Sequence, residues 1–328
     1  MERLPVEPTI TDVMKASKFL RNRVRRTPAE YSFALSERAG APVVLKLDNQ
    51  QICGSFKVRG AFYKMFSLSR ETLERGVVTC SSGNHAQGVA KAAAELRAKS
   101  WIYVPDVCPE TKKTAIRRLG GEWVELVVAN GDYDFAEGEA RAFAAERGMT
   151  FISPFEDSDV IAGQGTAGVE FLADEPDIEL LLVPAGGGAL LNGTAIAAAA
   201  LAPKAEVWGV QSEASNPWVV SWESGKVGGE FTLAQTIADG LSGAIPQSML
   251  SLAKQRVTGI IEVTEREIAA AIAFMHREHH QQVEGAGAVG VAALLAGKAP
   301  INGRKTGIII SGGNIDEEKL LSILKEYD

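Results

Sequence analysis

The sequence predicts an α/β protein built on mostly parallel strands. Short β-branched runs alternate with longer amphipathic segments along nearly all of the 328 residues, the pattern of βαβ units. Glycine clusters close three of those runs, where parallel sheets place their ligands. No Pro- or Ser-rich linker, internal repeat or low-complexity tail interrupts the chain, so any second domain is woven into the first.

The strands are expected, in order, at Val43–Leu47, Val77–Cys80, Trp101–Val104, Trp123–Val128, Leu180–Val183, Val207–Val210, Ile260–Val263 and Gly307–Ile310. Helix-length segments lie between most of them. One runs from the Gly83 turn through Lys91–Arg97, and Ala- and Glu-rich Asp132–Arg147 forms another. Thr264–His280 opens with Thr264 and Glu267 at capping-box spacing.

At about 150 residues per domain, the length allows one large or two joined domains. Hydrophobic residues at 46% and charged ones at 23% exclude a disordered chain. The net charge of −7 argues against nucleic acid or an anionic membrane as the main partner. Cys53, Cys80 and Cys108 are odd in number and lack CxxC spacing, so neither a disulfide framework nor structural zinc is expected. Met1–Pro8 shows no apolar leader. The most apolar stretch, Ala189–Ala202, is interrupted by Asn192, Gly193 and Thr194 and is too short to span a bilayer. A cytoplasmic protein is expected.

Four glycine clusters mark where function should sit: Gly54-Ser55-Phe56-Lys57, Ser81-Ser82-Gly83-Asn84-His85, Gly186-Gly187-Gly188 and Ser311-Gly312-Gly313-Asn314. After a strand and before a helix, such turns expose N–H groups at a helix N-terminus, which suits phosphate or carboxylate. For Gly186–Gly188 the competing reading is a turn whose glycines only permit close packing. No Lys-Ser/Thr pair follows, so it is not a Walker A loop. Gly163–Gly168 spells GxGxxG, but no buried strand precedes it and no acid follows at the required distance. A helix with a small-residue packing face fits better. His276, His279 and His280 lack the glutamate of HExxH and an obvious third ligand, so they are read as a polar helix face. Asn192-Gly193-Thr194 is a formal glycosylation sequon. Lys57 is a surface lysine on the bland reading. On the chemical one, an amine beside a phosphate cradle and an aromatic ring serves as a Schiff-base site.

Taken together, Ser55–Ala61, Ser81–Gln87, Pro184–Gly193, Glu284–Ala288 and Ser311–Asn314 resemble fold-type II pyridoxal phosphate enzymes of the threonine dehydratase and serine racemase family. They stand in that family's order and cover essentially the whole chain. The resemblance implies a tryptophan synthase β-like fold, with a larger cofactor-binding domain at 1–68 and 154–328 and a smaller mobile domain at 69–153. It implies that Lys57 holds pyridoxal 5'-phosphate as a Schiff base and later moves the α-proton. Phe56 would pack near the ring and Asn84 would bond its phenolic oxygen. The backbone of Gly186, Gly187, Gly188, Ala189 and Leu190 would bind the phosphate, and Ser311 would face the pyridine nitrogen. Ser81, Ser82, Gly83, Asn84 and His85 would grip the substrate carboxylate, with Ser82 opposite Lys57.

The implied activity is loss of water from a 3-hydroxy amino acid, giving a 2-oxo acid and ammonia. A neutral serine at the pyridine nitrogen restrains carbanion character and so suits elimination. The alternative for Ser311 is a plain N-cap of the last helix. Amino-acid racemisation by Lys57 and Ser82 is the second activity the scaffold allows. Ala238–Gly243 and His276–Gln282 are similar to a subgroup of hydroxyectoine breakdown, where a hydroxylated diamino acid would be the substrate. The stretch Gln211–Pro217 lacks the acidic pair that binds a divalent ion in metal-responsive relatives, so no metal is expected. A homodimer is implied.

Overall fold

The computed structural model describes residues 7–327. The expectation about the leader falls mainly on Met1–Val6, which lie outside the described residues, as does Asp328. Among the described residues there are ten strands: β1 (Ala29–Tyr31), β2 (Val43–Leu47), β3 (Val77–Cys80), β4 (Ser100–Pro105), β5 (Val124–Ala129), β6 (Thr150–Phe151), β7 (Leu180–Pro184), β8 (Glu206–Ser212), β9 (Gly259–Val263) and β10 (Thr306–Ile310). All eight expected strands are among them. β1 and β6 escape the sequence reading because three and two residues carry no usable alternation.

The strands form two sheets. One has the order β1-β2-β10-β7-β8-β9 and the other β5-β4-β3-β6. Every pairing is parallel except that β1 runs antiparallel to β2. Parallel strands need helices on both faces, and β2, β7 and β10 are accordingly buried along their whole length. Because β2, β10 and β7 are neighbours, the turns leaving their carboxyl ends converge on one edge.

The GxGxxG segment lies inside the helix Ser158–Asp174 and makes a packing seam. A Cβ on Gly163 would stand 2.6 Å from Gly60 Cα, and one on Gly165 would stand 2.8 Å from Gly193 O. Two helices, Lys57–Ser67 and Ala189–Leu201, therefore approach it closely. Between these glycines, Gln164 reaches the first turn of the Lys57 helix, accepting from Gly60 N at 3.1 Å and donating to Lys57 O at 3.4 Å. On the far side, Gly88 of the helix Asn84–Leu96 admits Ala61, whose Cβ would lie 3.1 Å from a Cβ at that position. The helix that starts at Lys57 is thus clamped from two sides.

Several smaller readings resolve here. Thr264 and Glu267 form the expected capping box, with Thr264 N donating to Glu267 at 2.8 Å and Glu267 N to Thr264 at 3.1 Å. The Asn192 sequon is buried within a helix, and its amide donates to Met249 O, so a glycan has no access. Ser311 is not the cap of the last helix. Asp316 caps Glu317–Glu326, and Ser311 ends β10 several residues earlier. Of the four arginines within residues 21–26, three make internal contacts. Arg23 lies over the Phe19 ring, Arg25 donates to Gln50 O and Arg26 pairs with Asp174. Among the described residues no helix is long and apolar enough to cross a membrane.

Candidate active site

The site is stitched together by backbone before any side chain is considered. Phe56 N donates to Ser311 O at 3.0 Å and Gly313 N donates to Gly54 O at 2.9 Å, with a bridge between Ser55 and Gly312. These bonds lock the start of the Lys57 helix to the turn after β10. Asn314 then reaches the other sheet, its Nδ2 donating to Cys53 O at 2.8 Å and to Asn84 Oδ1 at 2.7 Å.

Lys57 is partly buried, and its Nζ donates to Pro154 O at 2.9 Å while lying 5.4 Å from the Phe56 ring centre. Burial pushes its pKa down to about 8, with the charge of Glu284 opposing. The neighbouring Phe155 packs against the glycine turn after β7, where a Cβ on Gly187 would stand 2.2 Å from its ring. One dipeptide, Pro154-Phe155, therefore touches both the amine and the glycine turn.

That turn leaves its backbone donors open. Gly188 has φ +93°, which an L side chain rarely adopts, and Trp218 Nε1 donates to Gly186 O at 2.5 Å. The backbone N–H groups of Gly186, Gly187, Gly188, Ala189 and Leu190 find no acceptor among the described residues. They lie at the start of the helix Ala189–Leu201, where the helix dipole adds positive potential.

The turn after β3 supplies a second open helix start. Gly83 N donates to Ser81 Oγ at 3.2 Å, which shapes the turn ahead of Asn84–Leu96. His85 Nε2 lies 3.3 Å from Ile152 O. Burial, together with the nearby Lys57 charge, drives the pKa of His85 down to about 3, so the ring is neutral and Nε2 carries the proton. Ser82 is partly exposed, and its hydroxyl has no hydrogen-bond partner among the described residues.

Two features were hidden from sequence reasoning. Glu284 stands within a quoted motif, but its role appears only in space: Oε1 accepts from Asn84 Nδ2 at 2.7 Å. A Cβ on Gly312 would approach that oxygen to 2.2 Å, so the second glycine of Ser311–Asn314 makes room for Glu284. Burial and the charge of Asp239 raise Glu284 to about 7, against the pull of Asn84 and Lys112. Asn84 is held at both ends, by Glu284 and by Asn314, and keeps one N–H free to donate. The second hidden feature is the Lys112–Asp239 ion pair at 2.6 Å, which joins the helix after β4 to the loop before Ser242. Sequence proximity gives no signal for either contact.

Ser311 is buried, and its Oγ sits 3.5 Å from Ala286 O, too long for a strong bond. The structure therefore ties Lys57, Phe56, Asn84 and Ser311 together through the bonds between the 54–57 and 311–314 turns and the Asn314–Asn84 contact, with the glycine turn linked through Pro154-Phe155. The histidines of Thr264–His280 lie elsewhere, with His279 near Ser32 at 3.0 Å.

Comparison with known proteins shows the family. The profile of a family described as pyridoxal-phosphate dependent enzyme matches residues 20–312. The chain is 41% identical over 321 residues to the L-threonine ammonia-lyase of Thermotoga maritima, covering 97% of this chain and 78% of that protein. It is 35% identical to the L-threo-3-hydroxyaspartate ammonia-lyase of Saccharomyces cerevisiae, covering 97% of both chains. The solved structure of maize serine racemase superposes with a TM-score of 0.91 at 29% identity, covering 98% of each chain.

Proposed function

Because the chain belongs to the pyridoxal-phosphate dependent enzymes, we propose that it removes water from a 3-hydroxy amino acid of the L-threonine or L-serine kind. The products are a 2-oxo acid and ammonia. The observation that carries this reading is the Lys57 amine, brought to about 8 by burial and bonded, among the described residues, only to the Pro154 carbonyl. The residues present fit the cofactor: five unclaimed N–H groups for a phosphate, an aromatic ring and a deprotonable amine for an aldehyde.

Pyridoxal phosphate, when bound, supplies the electron-withdrawing ring that makes the substrate α-proton acidic. Lys57 Nζ would hold the cofactor's aldehyde carbon and would take that proton. The N–H groups from Gly186 to Leu190 would hold the phosphate, and the free N–H of Asn84 would donate to the phenolic oxygen. Ser311 would offer the ring nitrogen a neutral hydroxyl. The Ser81–His85 turn binds the substrate carboxylate through its N–H groups, and neutral His85 stays tied to Ile152 rather than competing for protons. Phe56 packs beside the ring.

Residues 1–68 with 154–328 form the cofactor-binding domain on this reading, and 69–153 the smaller mobile one. The working protein is a cytoplasmic homodimer. A second activity, racemisation, is favoured by the unpartnered hydroxyl of Ser82, which would return a proton on the face opposite Lys57. A screen of L-threonine, L-serine, L-threo-3-hydroxyaspartate and a hydroxylated diamino acid tests both, with ammonia, 2-oxo acid and chirality measured. Equal ammonia and oxo acid supports the dehydratase. The opposite enantiomer without ammonia would favour the racemase, and no turnover of any substrate would remove both.

A further inference from the structure

We propose that Glu265 is a positioning residue that holds the loop closing the phosphate cradle; the inference rests on the cofactor site argued above. Glu265 is the first residue of the helix Glu265–His279. Its carboxylate has no part in capping that helix, which Thr264 and Glu267 already complete. Instead Oε1 accepts from Ser212 Oγ at 2.5 Å and from Thr236 Oγ1 at 2.6 Å, while Oε2 accepts from Ile237 N at 2.6 Å. Hydrogen bonds to an ionised acceptor are the short, strong kind, and three on one carboxylate fix its partners firmly.

The partners are passed onward. Thr236 Oγ1 also accepts from Ala238 N at 3.0 Å, and Ser212 Oγ accepts from Ala214 N at 3.0 Å. The carboxylate thus ties the end of β8 to the segment 236–238. That segment leads into Asp239–Leu241, and residues 237–241 together are wedged between the glycine turn after β7 and the start of the helix Gly285–Leu295. A Cβ on Gly186 would stand 2.9 Å from Gly240 O, and one on Gly285 would stand 2.2 Å from Ile237 O. Gly186 is the first residue of the cradle, and Gly285 follows Glu284. A shift of this loop by an ångström would move the wall against which the cradle rests. Lys112 holds the far end through Asp239, but the Asp239 carboxylate is exposed and Lys112 only partly buried, so the firm end is Glu265.

The test compares two glutamates at one helix end. Glu265→Ala should speed loss of pyridoxal phosphate from diluted holoenzyme by about 10-fold or more, since it removes three charge-assisted bonds. Amide hydrogen exchange at Ile237 and Ala238 should rise with it. KM should climb more than kcat falls, because the reacting groups stay in place. Glu265→Gln, which retains an acceptor for Ile237 N but not for every partner, should fall between. Glu267→Ala removes the capping box and should lower the unfolding temperature, yet leave cofactor release and exchange at Ile237 unchanged. Native cofactor release in Glu265→Ala, or an equal change in Glu267→Ala, overturns the proposal. Wild-type protein that binds no pyridoxal phosphate would instead overturn the functional reading beneath it.

Discussion

Two cations stand in the first turn of one helix, and their surroundings could hardly differ more. Arg59 is fully buried and meets four carboxylate oxygens: Asp48 at 2.7 and 3.0 Å, and Glu170 at 2.8 Å twice. Thr166 and Lys46 complete the cluster, with Lys46 Nζ donating to Glu170 at 2.9 Å and to Thr27 O at 2.7 Å. Burial resists ionisation of Asp48, but the guanidinium overrides it and holds the carboxyl below its usual range. Lys57, two residues earlier, has one neutral carbonyl as its partner and a pKa pushed down to about 8. A buried charge whose valences are filled is architecture. One left with a single neutral partner is poised to react.

The comparison predicts a crossed pattern of losses. Lys57→Ala should abolish turnover by at least about 10⁴-fold, the scale of deleting a reacting group. Its unfolding free energy should change by no more than about 1 kcal/mol, because only one hydrogen bond is lost. Borohydride followed by mass spectrometry should place the cofactor on Lys57, and attachment elsewhere would break the contrast. Arg59→Met should do the reverse, lowering stability by about 3–5 kcal/mol because Asp48 and Glu170 stay buried without their partner. Replacing Lys46 and Arg59 by Met and Asp48 and Glu170 by Leu together should recover much of that loss, read by denaturant unfolding. A cluster that cannot be replaced wholesale would have more than a structural role.

The sequence carried one side of this contrast better than the other. Lys57 was legible because it follows Gly54 and Ser55 and precedes an apolar helix, a pattern that local rules can read. The Arg59 cluster was not, since Glu170 lies 111 residues away. Nothing in a helix read as a small-residue seam announces a carboxylate turned inward. The glycine turns were legible because β-branched runs precede them, and β1 and β6 were lost because they are too short to show a period. Pro154 illustrates a harder limit. Its carbonyl holds the lysine, yet any residue offers a carbonyl, so no side-chain code marks the position.

The depressed pKa of Lys57 sharpens the contrast through pH. Folding lowers it from 10.5 to about 8, so the neutral amine gains population as pH rises through about 8 rather than through 10.5. At pH 7 roughly a tenth of the amine is neutral, against roughly one part in 3,000 for an ordinary lysine. Capture of pyridoxal phosphate by apoenzyme should therefore accelerate with pH and level off above about 8. Stopped-flow absorbance checks this. A rate still rising tenfold per unit between pH 9 and 10 would show that burial does not tune this amine.

Ser311 gives the smallest effect on stability and the finest test of the open site. Its hydroxyl is buried but makes only the 3.5 Å contact to Ala286 O, and Asp316 does the capping that a sequence reading offered as its alternative role. Ser311→Ala should therefore cost less than about 0.5 kcal/mol, whereas Asp316→Ala should cost about 1 kcal/mol as a lost N-cap. Ser311→Asp separates packing from electronics. A carboxylate there would favour a protonated ring nitrogen by direct charge pairing, strengthening the electron sink and slowing departure of the hydroxyl. The expected outcome is a shifted absorbance band of bound cofactor and slower elimination, with the cofactor retained. Since no cap is at stake, a native spectrum with a native rate would leave Ser311 no part in the chemistry. It would then belong with Arg59, among residues that only build the site.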